Sequence, residues 1–324
     1  MSLSPWLVEP WRQLQARRAE GRLPHALLIA APPGIGKRVL ADALQASLLC
    51  ETPQSEGFAC GRCRGCVLFT GGAHADAIRV SFGLRDDGKP RSEIVVEQIR
   101  ELCARFAQTS ARGGWRVAVI DPANALNHNA ANALLKTLEE PEPNVLMILV
   151  ADDIGRLPAT ILSRCQRVVI APPPRAQARA WLLAQGAAPD AVDEALALSD
   201  GNPGEALRLA TPASRKLIAG LVADIATVAG GGELAPIAAR WNDEDAALRL
   251  RTLARLITAA MRPGAASASA ELGDMAALVA KADVQRLSEG WDRLNWARTQ
   301  IETPLRSDLL ILDVLGRLRA ALRP

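Results

Sequence analysis

The stretch from Asn129 to Cys165, NAANALLKTLEEPEPNVLMILVADDIGRLPATILSRC, constrains the fold more than any other part of the chain. Ala130, Ala133, Leu134, Thr137 and Leu138 recur at helical spacing behind Asn129, a residue able to cap that helix. Pro141 and Pro143 end it, because proline lacks an amide donor and biases the preceding residue away from helix. Val145 to Ala151 then reads VLMILVA, an unbroken apolar run of the kind buried on both faces of a parallel sheet. After a short helical turn come Ser163, Arg164 and Cys165. An arginine just past a central strand is well sited to reach a phosphate on a neighbouring molecule.

Upstream, a helix over about Pro5 to Glu20 precedes a buried strand at Ala26 to Ala30 and the loop APPGIGKRVL. Strand, glycine-bearing loop and helix form the setting of a phosphate-binding loop, whose pattern is G-x-x-x-x-G-K-[ST]. Gly34, Gly36 and Lys37 are present, but Ala31 replaces the first glycine and Arg38 the Ser or Thr whose hydroxyl would hold magnesium. An arginine cannot coordinate a cation and would repel one. The loop therefore reads either as a nucleotide cradle without metal-assisted hydrolysis or as a structural turn. Further strands are expected at Ala77 to Ser81, Trp115 to Asp121 and Arg167 to Ile170, with a polar loop at Arg85 to Arg91 and a helix in IVVEQIRELCARF. Asp121 stands where an ATPase needs a magnesium-shell carboxylate, but Pro122 occupies the place of the glutamate that orients water.

Cys50, Cys60, Cys63 and Cys66 are separated by nine, two and two residues. Two successive C-x-x-C steps let four thiolates converge on one tetrahedral ion, which predicts a closed structural zinc site. Cys103 and Cys165 lie far off and read as buried thiols. His74 has no evident catalytic partner.

LLKTLEEP with the Ser-Arg-Cys triplet, the VEQIREL segment and the cysteine insertion behind the phosphate loop resemble the AAA+ sliding-clamp loaders of bacterial DNA polymerase III. That resemblance implies an α/β P-loop AAA+ core with a parallel sheet and zinc module at 1–171 (cysteines at about 50–66), a small helical lid at 172–210, and an all-α collar at 211–324. The proline run Pro172 to Pro174 marks the first boundary. Three short helices are expected near Arg175 to Gln185, Pro189 to Leu198 and Pro203 to Leu209, and further helices within DEDAALRLRTLARLITAAM and near Pro304 to Leu322. The last third reads equally as a collar or as a self-contained bundle, flanked by Gly230 to Gly232 and the PGAASASA segment.

By the same resemblance, Arg164 would act in trans on ATP held by an adjacent subunit, with Ser163 and Cys165 framing it. The family's ATPases carry a Thr or Asn sensor where this chain has Ala151, Asp152 and Asp153, and a sensor arginine where it has Gly204. ATP hydrolysis by this chain itself is therefore not expected. The implied partners are the delta and gamma/tau subunits and, through them, the beta clamp and primer-template DNA. The rival readings are an active gamma-type ATPase, opposed by Arg38 and Pro122, and a free-standing zinc protein that binds nucleic acid. A net charge of +3 from 38 basic and 35 acidic residues, with no basic tail, opposes the second. Tyr is absent and Phe numbers 4, so a base-stacking platform of those residues is not expected. No apolar run is long enough for a bilayer and the N-terminus lacks a signal-peptide layout, so the cytoplasm is the expected location.

Overall fold

The computed structural model describes residues 3–84, 88, 91–108, 110, 113–264, 267–301, 303 and 305–323, and forms two compact units, Met1–Pro172 and Pro173–Pro324. Parts of the expected Arg85 to Arg91 loop, Ala265 and Ala266 of the PGAASASA segment, and Pro304 lie outside the described residues.

The first unit begins with a 3-10 turn at Pro5–Leu7, followed by α1 (Val8–Ala19), β1 (Ala26–Ala30), α2 (Lys37–Leu49) and α3 (Arg64–Thr70). It continues with β2 (Ala77–Val80), α4 (Val96–Phe106), β3 (Arg116–Ile120), α5 (His128–Glu139), β4 (Val145–Ala151), α6 (Ala159–Leu162) and β5 (Gln166–Val169). The five strands pair in parallel in the order β2-β3-β4-β1-β5. The VLMILVA run is thus the central strand, and all of it is buried. Alternate side chains of each strand point to opposite faces. On one face Leu28, Ala118, Met147 and Leu149 pack with Ile99, Phe106 and Leu134 from α4 and α5. On the other, Leu27, Val117, Ile148 and Val150 pack with Leu40 and Leu44 of α2 and with Trp11 and Leu14 of α1. Gln45 sits in this apolar layer because its side-chain amide donates to the Val117 and Ile78 carbonyls, at 2.8 and 3.3 Å, tying α2 to the sheet.

Several expectations need correction. The cap of α5 is Asn127, whose Oδ1 accepts from the Ala130 amide at 2.9 Å; its backbone is extended (φ −71°, ψ 166°), whereas Asn129 is already helical. The last strand is Gln166–Val169, one residue earlier than Arg167 to Ile170, and it is an edge strand paired only with β1. Val169 is accordingly 68% exposed. The second strand ends at Val80 and the third spans Arg116 to Ile120, each shorter than read from sequence. Cys103 is only half-buried, with the Thr137 hydroxyl donating to its sulfur at 3.2 Å.

In the second unit α7 (Arg175–Ala184), α8 (Pro189–Leu198) and α9 (Pro203–Leu209) are followed by α10 (Pro212–Ala229), α11 (Leu234–Trp241) and α12 (Ala246–Ala260). The unit closes with α13 (Ala270–Ala280), α14 (Val284–Gln300) and α15 (Ser307–Leu322). One hydrophobic cluster runs through it from Ala178 and Leu182 of α7 to Leu318 and Leu322 of α15, so residues on both sides of position 210 share a core. No described helix is long and apolar enough to cross a membrane.

Ile148 is fully buried in the central strand. Ile148→Ala should cost about 2–5 kcal/mol by lost burial and cavity formation. Val169→Ala on the exposed edge should stay within about 0.5 kcal/mol. Urea unfolding of the two variants checks the difference.

Candidate functional site

Parallel strands end together, so the loops after β1, β3 and β4 meet at the carboxyl edge of the sheet. The β1–α2 loop carries Gly34 and Gly36, both at positive φ (91° and 95°), a conformation that favours glycine. That geometry turns the chain sharply into α2 and places Lys37 and Arg38 in the helix's first turn. Asp121 follows β3 and Asp152 follows β4.

The four charged side chains neutralise one another. The Lys37 ammonium, 1% exposed, forms an ion pair with Asp152. Arg38 Nε donates to both oxygens of Asp121, at 3.0 and 2.8 Å, and its Nη2 reaches Asp152 Oδ2 at 3.4 Å. Burial presses the Arg38 guanidinium toward its neutral form, but the hydrogen bond and charge of Asp121, then those of Asp152, outweigh it and raise its pKa. The Asp152 amide donates to Asn124 Oδ1 at 2.9 Å, fixing the acid's backbone. Beside this knot lies an open cleft of about 600 Å³ lined by Arg38, Asp121, Pro122, Asn124, Asp152 and Arg156. A triphosphate entering it meets two carboxylates and finds the lysine already paired. The structure therefore brings Lys37 and Asp121 together through Arg38 and Asp152. Asp152 was legible as an acid at the sensor position, but not as the partner of Lys37.

Arg164 lies elsewhere. It precedes the amino end of β5, whereas the β1–α2 loop follows the carboxyl end of β1, and Leu27 and Ala30 of β1 pair with Gln166 and Val169. At about 3.3 Å per residue, the two ends of these strands are roughly 10–15 Å apart along the sheet. Arg164 Nη2 donates to Glu139 Oε1 at 2.6 Å, and Nη1 to the Thr160 carbonyl at 3.0 Å and the Ser163 hydroxyl at 3.2 Å. Its neighbour Cys165 is buried, and burial pushes its thiol up to about 11, so it is an inert core thiol at neutral pH. Glu139 was not foreseen as a partner. A signal existed: a carboxylate at the carboxyl end of a helix opposes the dipole and calls for a nearby cation.

The cysteines form the third cluster. The sulfur atoms of Cys50, Cys60, Cys63 and Cys66 all lie within 4.8 Å of one another. The Cys50–Cys63 and Cys60–Cys66 separations are 3.8 and 4.0 Å. A tetrahedron with metal–sulfur bonds of about 2.3 Å has edges of about 3.8 Å, so this donor set fits a metal ion. Amides of Cys60, Cys63 and Cys66 donate to the sulfurs of Cys50, Cys60 and Cys63 at 3.3–3.4 Å. The Thr52 hydroxyl first, then backbone amides, pull the Cys60 thiol down to about 5, while burial pushes Cys66 up to about 12. A divalent cation would offset the cost of ionising all four. Gly65 lets α3 approach the end of α2: a Cβ there would lie 2.4 Å from the Leu49 carbonyl oxygen. Phe58 stacks on Trp11 with ring centroids 4.5 Å apart, anchoring the cysteine segment to α1. His74 is buried, with its Nδ1 accepting from the Asp76 amide at 3.2 Å.

A family model described as DNA polymerase III, delta subunit, matches residues 8–174. The chain is 35% identical over 327 residues to DNA polymerase III subunit delta' of Escherichia coli (strain K12), covering 99% of this chain and 96% of that one. It is 38% identical over 243 residues to DNA polymerase III subunit delta' of Pseudomonas aeruginosa, covering 74% and 71%. Similarity to DNA polymerase III subunit tau of Escherichia coli is 38% over 145 residues, 45% of this chain and 21% of tau.

Removing Asp152 leaves the buried Lys37 charge unpaired. Asp152→Ala should therefore destabilise the first unit by about 3–5 kcal/mol. Asp153→Ala, at a carboxylate 61% exposed, should change stability far less. Equilibrium denaturation of both variants makes the comparison.

Proposed function

The chain belongs to the DNA polymerase III subunit delta' family, and from that premise we propose that it is a clamp-loader subunit that does not hydrolyse ATP but supplies Arg164 in trans to ATP on a neighbouring subunit. The observation that carries this reading is the internal neutralisation of Lys37 and Arg38 by Asp152 and Asp121. In a hydrolytic site the lysine holds phosphate and the aspartate the magnesium shell. Here a carboxylate takes the phosphate's place beside Lys37, and a guanidinium takes the cation's place beside Asp121. Metal and nucleotide would have to break both arrangements to bind, and Pro122 offers no group to orient water.

The position of Arg164 supports the trans role. It stands at the amino edge of the sheet, away from this chain's own phosphate loop, a placement that favours a phosphate carried by another molecule. The guanidinium would stabilise charge on the transferring γ-phosphoryl group. The tau similarity over 145 residues supports gamma/tau ATPases as its neighbours. The delta subunit, beta clamp and primer-template DNA complete the proposed set of partners, in the cytoplasm. The helices at 172–210 are proposed as the lid and those at 211–324 as the collar that orders subunits. Zinc is the proposed occupant of the four-cysteine cluster, because four thiolates without an open position suit a structural zinc ion.

In a reconstituted loader with clamp and primed DNA, Arg164→Ala should lower ATP turnover by about a thousandfold while subunits still assemble. Unchanged turnover would overturn the trans role, and turnover by the isolated chain would overturn the non-hydrolysing one. The metal assignment is checked separately. Elemental analysis should find one zinc per chain, Cys63→Ser should abolish retention of that zinc, and a chelator should lower the melting temperature of the wild type.

A further inference from the structure

Of the five N–H groups on a guanidinium, Arg164 commits three within the chain. Two go from Nη1 to the Thr160 carbonyl and the Ser163 hydroxyl, both in or beside α6, and one goes from Nη2 to Glu139 at the end of α5. Nε and the second Nη2 hydrogen have no partner among the described residues, and the side chain is 34% exposed. The arginine is thus clamped from two helices, with a pair of donors left over.

Glu139 is the one charged member of that clamp, at 2.6 Å. Without it the guanidinium would keep its bonds to the short α6 segment alone. An arginine carries considerable rotamer freedom, and that freedom is lost when it meets a phosphate unless it has been ordered beforehand. The α5 helix that presents Glu139 is itself fixed: the Leu138 carbonyl bonds His25 Nε2 at 3.0 Å, and Leu134 and Leu138 are buried against the sheet. The clamp is therefore tied to the rigid part of the unit.

We propose that Glu139 is a positioning residue for Arg164, holding the guanidinium so that its uncommitted Nε–H and Nη2–H face a phosphoryl group on a neighbouring molecule. This assignment rests on the trans role proposed above. It predicts that Glu139 acts only through Arg164, and on the rate of the chemical step more than on nucleotide affinity.

The test is a double-mutant cycle in the reconstituted loader, with Glu139→Ala, Glu139→Gln, Arg164→Ala and the Glu139→Ala/Arg164→Ala pair. Glu139→Ala should lower kcat for ATP about tenfold with KM, assembly and melting temperature nearly unchanged. Glu139→Gln keeps an acceptor oxygen without the charge and should recover part of the loss. In the Arg164→Ala background, Glu139→Ala should have no further effect. The proposal is overturned if Glu139→Ala leaves kcat unchanged or raises it while Arg164→Ala lowers it, or if the two losses multiply. No effect of Arg164→Ala itself would remove the trans role, and this assignment with it.

Discussion

At the carboxyl edge of the sheet, two cations from the first turn of α2 meet two carboxylates from the ends of β3 and β4. Lys37 is 1% exposed, and an isolated ammonium at that depth is strongly disfavoured. Asp152 is what makes its burial tolerable, and Arg38 does the same for Asp121. These contacts tie the phosphate-type loop to the ends of the central strands. A fold whose loop ordinarily closes around an anion here closes around its own side chains. Under the proposed role, these internal ion pairs would let the loop hold its shape while neighbouring subunits turn over ATP.

The sheet was the most legible part of the chain. β1 and β4 fall on the residues read from sequence because strands buried on both faces appear as apolar runs with no polar interruption. β5 was placed one residue late, because the apolar residues of QRVVI cluster at its end while the strand pairs on one side only, from Gln166 to Val169. α3 was not foreseen, since RGCVLFT offers seven residues and too little periodicity to tell a turn of helix from a loop. In the second unit, α8 and α9 were marked by Pro189 and Pro203 in their first turns, whereas α10 and α13 are alanine-rich and give little contrast between faces, and α11 has only eight residues in which to show a period.

The site divides along similar lines. The four cysteines could be read together because their spacing is local, and the fold brings all four sulfurs within 4.8 Å of one another. Lys37, Asp121 and Arg164 could be found one by one from motif positions. What remained hidden were their partners: Asp121 meets Arg38 across 83 residues, and Arg164 meets Glu139 across 25. Pairings of that range are made by topology, and a single sequence carries no local periodicity that reports them.

The two edges of a parallel sheet offer a physical basis for dividing labour between molecules. Loops after the strands converge at one edge and hold groups for a ligand bound to the same chain; groups before the strands lie at the other edge and are removed from that ligand. In this chain the first edge is neutralised from within, while the second presents Arg164 with two donors uncommitted among the described residues. A change at one edge need not disturb the other, because the buried strands between them are held by packing common to both. Arg38 and Pro122 would then, under the proposed role, stand in for hydrolytic groups without cost to the clamp around Arg164. Under the proposed role, loss of one function and retention of the other follow from the same architecture: the sheet is rigid enough to hold the arginine, and long enough to keep it away from the chain's own phosphate loop.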